Sequence, residues 1–312
     1  MSGWVASMGQ FEIIEFYLEL VRRAQERGIC CAITSGMACV AYAVAEATKD
    51  CDLLCEPEMA SDFLQLLAES PLAGVACQYR GNISPPLDAR WHKGGWTSHF
   101  EWPGTEAFLD VFGIAPRARS RWQDEMIPPY AHPHVVADMK RTARDKDWPF
   151  INDLGILLLE RGDARGWLHL FDVDLIRRLA AEIGITDEIV QLRPALRLAA
   201  EDRDRFHAAM AAERIFWQRA SELRVKQYEK HVKPYLVAVR KAETGKNLGL
   251  LEQHETRQKC AEAHLPFRPL GDDEFAQMVA GAKKATLALI HPSLEEFLPD
   301  MSVNYRILLS TK

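Results

Sequence analysis

The chain has 312 residues, 48% hydrophobic and 26% charged, which is the make-up of an ordinary soluble globular protein with room for one large domain or two ordinary ones. No uninterrupted apolar segment approaches the roughly 18 residues of a membrane span, and no membrane association is expected. A net charge of -6 argues against a wholesale nucleic-acid coat, although a local basic surface remains compatible with it.

The N-terminal region lacks the basic start and cleavage pattern of a secretory signal, since Glu12 and Glu15 interrupt its apolar run, so a cytoplasmic location is the default expectation. Phe11 to Arg27 places Phe11, Ile14, Leu18 and Val21 on one helical face, and Gly28 ends that helix. Ile29 to Thr34 reads as the first strand. Ser35-Gly36 punctuates it, and Met37 to Ala45 is Ala-rich and apolar enough for a buried helix. In Lys49-Asp50-Cys51-Asp52-Leu53-Leu54-Cys55 the period changes to that of a strand. Two aspartates two apart then leave the same face. Burying such a pair costs several kcal/mol each unless a cation neutralises it, and a divalent metal is the simplest neutraliser.

Pro57 can open a helix running through Phe63, Leu64, Leu66 and Leu67, followed by a Pro- and Gly-punctuated stretch. Thr97 to Trp102 alternates, Pro103-Gly104-Thr105 suits a hairpin turn, and Ala107 to Phe112 returns carrying Asp110. Met126 to Pro133 is proline-rich and reads as a loop. A helix from Val135 carries Lys140, Arg141 and Arg144 ahead of Asp145-Lys146-Asp147, and a further helix spans Phe150 to Arg161. Beyond Gly162 the composition turns helical and charged. Leu175 to Ile183 and Asp187 to Leu198 are amphipathic candidates, with Pro194 kinking or ending the second, and a long helix covers much of Glu201 to Tyr228.

Gly36 followed by Thr48-Lys49-Asp50-Cys51-Asp52-Leu53 resembles the signature of the DNA polymerase beta-type nucleotidyltransferase superfamily: a small-residue turn, a helix, and a strand with Asp-x-Asp. The order Lys140, Arg144, Lys146-Asp147, then Asp153 is similar to the tail of its bacterial minimal branch, which includes type IV toxin-antitoxin toxins. The resemblance covers roughly the first half of the chain. It implies an α+β fold, with a mixed sheet flanked by helices over residues 1–162 and a mainly helical C-terminal domain over 163–312.

It further implies Mg2+-dependent transfer of a nucleotidyl group from an NTP to a hydroxyl, with release of pyrophosphate. Asp50, Asp52 and Asp110 would hold two metal ions, with Glu101 and Glu106 competing for the third place. Ser35, Gly36, Lys140, Arg144 and Lys146 would bind the nucleotide. The acceptor stays open among tRNA or another RNA, a protein hydroxyl and a small molecule. Two positions depart from the pattern. Ser35 precedes Gly36 where Gly-Gly or Gly-Ser is usual, and Glu46 stands where an arginine is common. A catalytically silent member that binds a nucleotide or a partner is therefore the rival expectation.

The remaining candidates have plainer readings. Seven cysteines without zinc spacing read as reduced core residues. His132-Pro133-His134 lacks ligand partners at suitable spacing, and Trp91, Trp96, Trp102 and Trp122 suit a core better than base stacking. Arg214 to Lys246 carries nine basic residues against three acidic ones, as either a solvated helix face or a docking surface for RNA or an acidic partner.

Overall fold

The computed structural model describes residues 10–48 and 50–310; Lys49 of the Asp-x-Asp motif lies outside the described residues. The fold is α+β, built on a seven-stranded mixed sheet. In chain order the first half comprises α1 (Gln10–Glu26), β1 (Cys31–Thr34), α2 (Ser35–Ala41), β2 (Cys51–Cys55), α3 (Ala60–Ala68), β3 (Gln78–Tyr79), α4 (Ala89–His92), β4 (Thr97–Glu101), β5 (Phe108–Phe112), β6 (Met126–Ile127), β7 (Tyr130–Ala131), α5 (Pro133–Met139) and α6 (Trp148–Glu160). Helices α7 (Val173–Ile183), α8 (Asp187–Leu192), α9 (Arg203–Glu243), α10 (Leu250–His264), α11 (Asp272–Leu287) and α12 (Met301–Ser310) follow.

Strand order is β3-β4-β5-β2-β1-β7-β6. β1 and β2 are antiparallel, whereas β2 and β5 run parallel, which sets Asp52 directly beside Asp110. Alternation then divides the side chains between two layers. Cys31, Ile33, Cys51, Leu53, Phe100, Leu109 and Val111 face α1 and α3 in one core. Ala32 and Leu54 face the opposite way, toward α2, α5, α6 and parts of α9, α11 and α12. Thr34, Asp52 and Asp110 share that second face by register.

Three local differences from the sequence reading have physical causes. Met126 to Pro133 is not a plain loop: Pro128 and Pro129 form the turn between β6 and β7, where a missing N–H costs no ladder bond, and Pro133 opens α5. The helix expected to carry Lys140 to Arg144 stops at Met139. There the Arg117 guanidinium binds the carbonyls of Asp138 and Met139. α9 continues past Tyr228 and through Pro234 to Glu243, because the side chains beyond the proline, Tyr235 and Val239, are buried against Trp91, Trp96 and Ala261.

Residues beyond Gly162 are helical and share cores with the first half. They pack tightly at Gly94, where a Cβ would lie 1.7 Å from the Phe267 carbonyl oxygen. That atom is backbone and has little freedom to yield. Gly94→Ala is expected to destabilise the protein by about 2 kcal/mol or more, read as a lower urea midpoint. Gly249→Ala, whose Cβ would meet only Glu252 Oε2 at 3.8 Å, should cost less than half as much.

Candidate active site

β1 ends where the chain turns into α2, and Thr34 is the Cα partner of Asp52. No β1 residue is left to pair beyond that point. Asp50 therefore lies in the exposed segment just before β2, outside the strand that carries Asp52. Both line a cleft of about 360 Å³ with Ser35, Gly36, Lys140, Arg144, Lys146 and Asp147. The sequence-predicted nucleotide residues are thus brought together with Asp50 and Asp52, and Asp110 stands beside Asp52 on the adjoining strand.

The turn into α2 is built for close approach. Ser35 has φ of 52°, the left-handed region, which costs a non-glycine residue on the order of 1–2 kcal/mol. Its hydroxyl lies near enough to Asp52 to lower that carboxyl's pKa, so the strain accompanies a contact that glycine would lack. A Cβ on Gly36 would lie 2.5 Å from Thr48 Oγ1, so only glycine lets the turn pack against the segment leading to β2. Glu46 is exposed and lies off the cleft lining.

Cationic side chains enter from the turn after α5. Lys140 is 6% exposed, with Nζ 3.8 Å from Asp147 Oδ1 and 5.2 Å from the Phe150 ring centre. Arg144 Nε donates to Asp147 Oδ2 at 2.8 Å, and Thr142 Oγ1 donates to the same oxygen at 2.7 Å. Buried Asp147 thereby orients both cations, a role that its place after Lys146 did not reveal. Lys146 is exposed at the rim.

Asp52 and Asp110 are held on neighbouring strands, which run about 4.8 Å apart. Burial, followed by the Asp110 charge, pushes the Asp52 carboxyl up to about 6, against the Ser35 hydrogen bond and the Lys140 charge. Two oxygen-donor groups so placed fit a hard divalent cation. Among the described residues no group of three or more His, Cys, Asp or Glu side chains is arranged to hold a metal. Magnesium, however, usually keeps several of its waters and is commonly held by only one or two carboxylates, so two carboxylates are enough for it.

Sequence reasoning missed two neighbours. His99 is the antiparallel partner of Asp110, and its Nδ1 lies 2.8 Å from Asp110 Oδ1. Arg80 Nη2 donates to the same oxygen at 2.6 Å. The hairpin turn at Pro103-Gly104-Thr105 carried the signal for His99, since pairing Trp102 with Ala107 brings 99 opposite 110. Arg80 arrives from β3, a two-residue strand with no comparable signal.

The other candidates lie elsewhere. His132 accepts from the His134 backbone N–H, while His134 Nδ1 meets His169 Nε2 at 2.8 Å in the interior, where burial pushes His134 down to about 4. The four tryptophans are buried. All seven cysteines are free thiols. Along α9, Arg214 pairs with Asp145, Arg219 pairs with Glu222, and Arg224 lies over Tyr228. Lys226, Lys230, Lys233, Arg240 and Lys241 are exposed. No helix among the described residues is long and apolar enough to cross a membrane. Comparison with protein-family models, curated proteins and solved structures finds no match for the chain.

The raised Asp52 carboxyl gives a signed expectation. Its folded value lies above the ordinary carboxylate value of 3.8, so the folded state holds the proton more tightly than the unfolded chain. Stability should fall as pH rises from about 4 to about 6 and stay lower above that window. In metal-free buffer at pH 7.5, Asp52→Asn is expected to gain on the order of 3 kcal/mol. The gain should vanish near pH 4, as read by melting temperature across the series.

Proposed function

We propose that the protein is a metal-dependent nucleotidyltransferase, moving a nucleotidyl group from an NTP to a hydroxyl acceptor with release of pyrophosphate. The observation that carries this reading is that Asp52, the register partner of Asp110 on the adjoining strand, lines one cleft together with Lys140, Arg144 and Lys146. Carboxylates and cations gathered at one cleft suit a triphosphate, whose reacting end needs charge compensation and whose leaving end needs binding. The resemblance of the Gly36 and Asp50-Cys51-Asp52 segment to the polymerase beta-type superfamily points the same way, and on this reading residues 1–162 correspond to that core.

Magnesium, when bound, supplies the positive charge that activates the attacking hydroxyl and stabilises the leaving pyrophosphate. The chain's own groups do the rest. Lys140 and Arg144, oriented by Asp147, bind the β- and γ-phosphates, with Lys146 adding charge at the rim. The Ser35 hydroxyl and Gly36 border the phosphate chain. Asp110 takes the acceptor hydroxyl's proton as the new O–P bond forms and the bond to pyrophosphate breaks. A second reading, nucleotide binding without transfer, draws on Glu46, an exposed acid that stands where the resembled superfamily commonly has an arginine.

Two measurements separate these readings. Lys140→Ala should weaken Mg2+-dependent NTP binding at least tenfold, on the scale of a lost charged hydrogen bond of about 1.5–3 kcal/mol. Pyrophosphate release by the parent, abolished in Asp52→Asn, would favour transfer; binding without release would favour the silent member.

The acceptor is tested on α9. If Arg219, Arg224, Lys226 and Lys230 contact RNA phosphates, binding of a bulk tRNA pool should fall by about 0.7 to 0.9 log units per log unit of salt for each contact. Replacing the four by Ala should flatten that slope. An unchanged slope would point to a protein or small-molecule acceptor.

A further inference from the structure

Asp52, Asp110 and His99 are register partners on the adjacent strands β2, β5 and β4. The backbone N–H of Arg80 donates to the His99 carbonyl at 2.9 Å, extending the row to the end of β3. Four functional side chains thus stand in line across the sheet, and the two beyond Asp110 converge on it.

Both contacts land on the same atom. Arg80 Nη2 lies 2.6 Å and His99 Nδ1 2.8 Å from Asp110 Oδ1, leaving Oδ2 outside this pair. A carboxylate accepts and a guanidinium only donates, so Nη2–H of Arg80 donates to Oδ1. With His99 in the tautomer that carries its proton on Nδ1, that N–H donates to Oδ1 as well, and the 3.3 Å approach of Arg80 Nη2 to Nδ1 is then a contact between two donors. Arg80 is itself braced: its guanidinium lies 5.2 Å from the Phe108 ring centre, and Arg257 donates to the carbonyl of the next residue, Gly81, at 2.7 Å. Two directional bonds to one oxygen fix the rotation of the carboxylate and the direction of the other oxygen.

We infer that Arg80 and His99 are positioning residues for the metal site, holding Asp110 by Oδ1 so that Oδ2 is presented toward Asp52 for a divalent cation. The inference rests on the metal reading of Asp52 and Asp110 proposed above. Carboxylates that ligate a metal are themselves hydrogen-bonded, and loss of such outer partners costs about 10- to 100-fold in metal affinity. The side chains of Arg80 and His99 are 32% and 22% exposed, so their replacement leaves the buried cores intact.

The test is Mn2+ binding to the purified full chain, followed by the loss of the free-ion electron paramagnetic resonance signal, with melting temperatures recorded on the same samples. The parent should bind Mn2+, and Asp52→Asn should weaken that binding; a parent that binds none at millimolar Mn2+ overturns the metal reading and this inference together. With the parent binding, Arg80→Gln and His99→Leu should each weaken Mn2+ about tenfold, and together up to about 100-fold. His99→Asn, whose amide N–H stands near the place of Nδ1, should restore most of the loss, a rescue that a purely structural role would not produce. Unchanged affinity in both variants overturns the inference alone. Tighter binding in Arg80→Gln also overturns it and makes Arg80 a competitor of the cation.

Discussion

Two carboxylates forced onto neighbouring strands set the terms for everything around them. Parallel pairing of β2 with β5 leaves Asp52 and Asp110 no way to turn to opposite faces, since their register partnership places both on the same one. The cost of that proximity is visible at Asp52, whose carboxyl is pushed up to about 6 by burial and by its neighbour. Each surrounding group answers it: the Ser35 hydroxyl and Lys140 on the cleft side, Arg80 and His99 on the sheet side. The acidic pair is thus framed from two sides by polar and cationic groups.

Asp147 distributes charge in the opposite sense. It is a buried anion, and it holds Arg144 and stands near Lys140 while accepting from Thr142. Both cations are thereby kept at the cleft rather than released to solvent. The early end of α5 serves the same purpose. Because Arg117 binds the last carbonyls of that helix, Lys140 leaves from a turn and not from a helical face.

The helical second half acts on the site through the segment after β3. Arg257 is almost fully buried and donates to the carbonyls of Gly81 and Ser84, and its charge is balanced by Glu243 at the end of α9. Tyr235 donates to the same Ser84 carbonyl. Ser84 in turn accepts from the His99 backbone N–H. Helices α9 and α10 thus brace the backbone on either side of Arg80 and His99, which ties the far end of the chain to the row of side chains on the sheet.

Local pattern alone determined much of this. The α1 periodicity closed by Gly28, the Asp-x-Asp run, the hairpin across Pro103-Gly104 and the cluster from Lys140 to Asp147 are short-range features whose periods and turn chemistry are written in consecutive residues. Asp50 and Asp52 stand out by their spacing, whereas Asp110, Ser35, Gly36 and Lys140 are singled out through the superfamily resemblance. Tertiary structure alone decided that β2 and β5 are parallel neighbours, that Asp50 falls past the last β1 pairing, and that Arg80 reaches Asp110. These depend on strand order and on contacts between residues far apart in sequence, and no local propensity encodes which strand lies beside which.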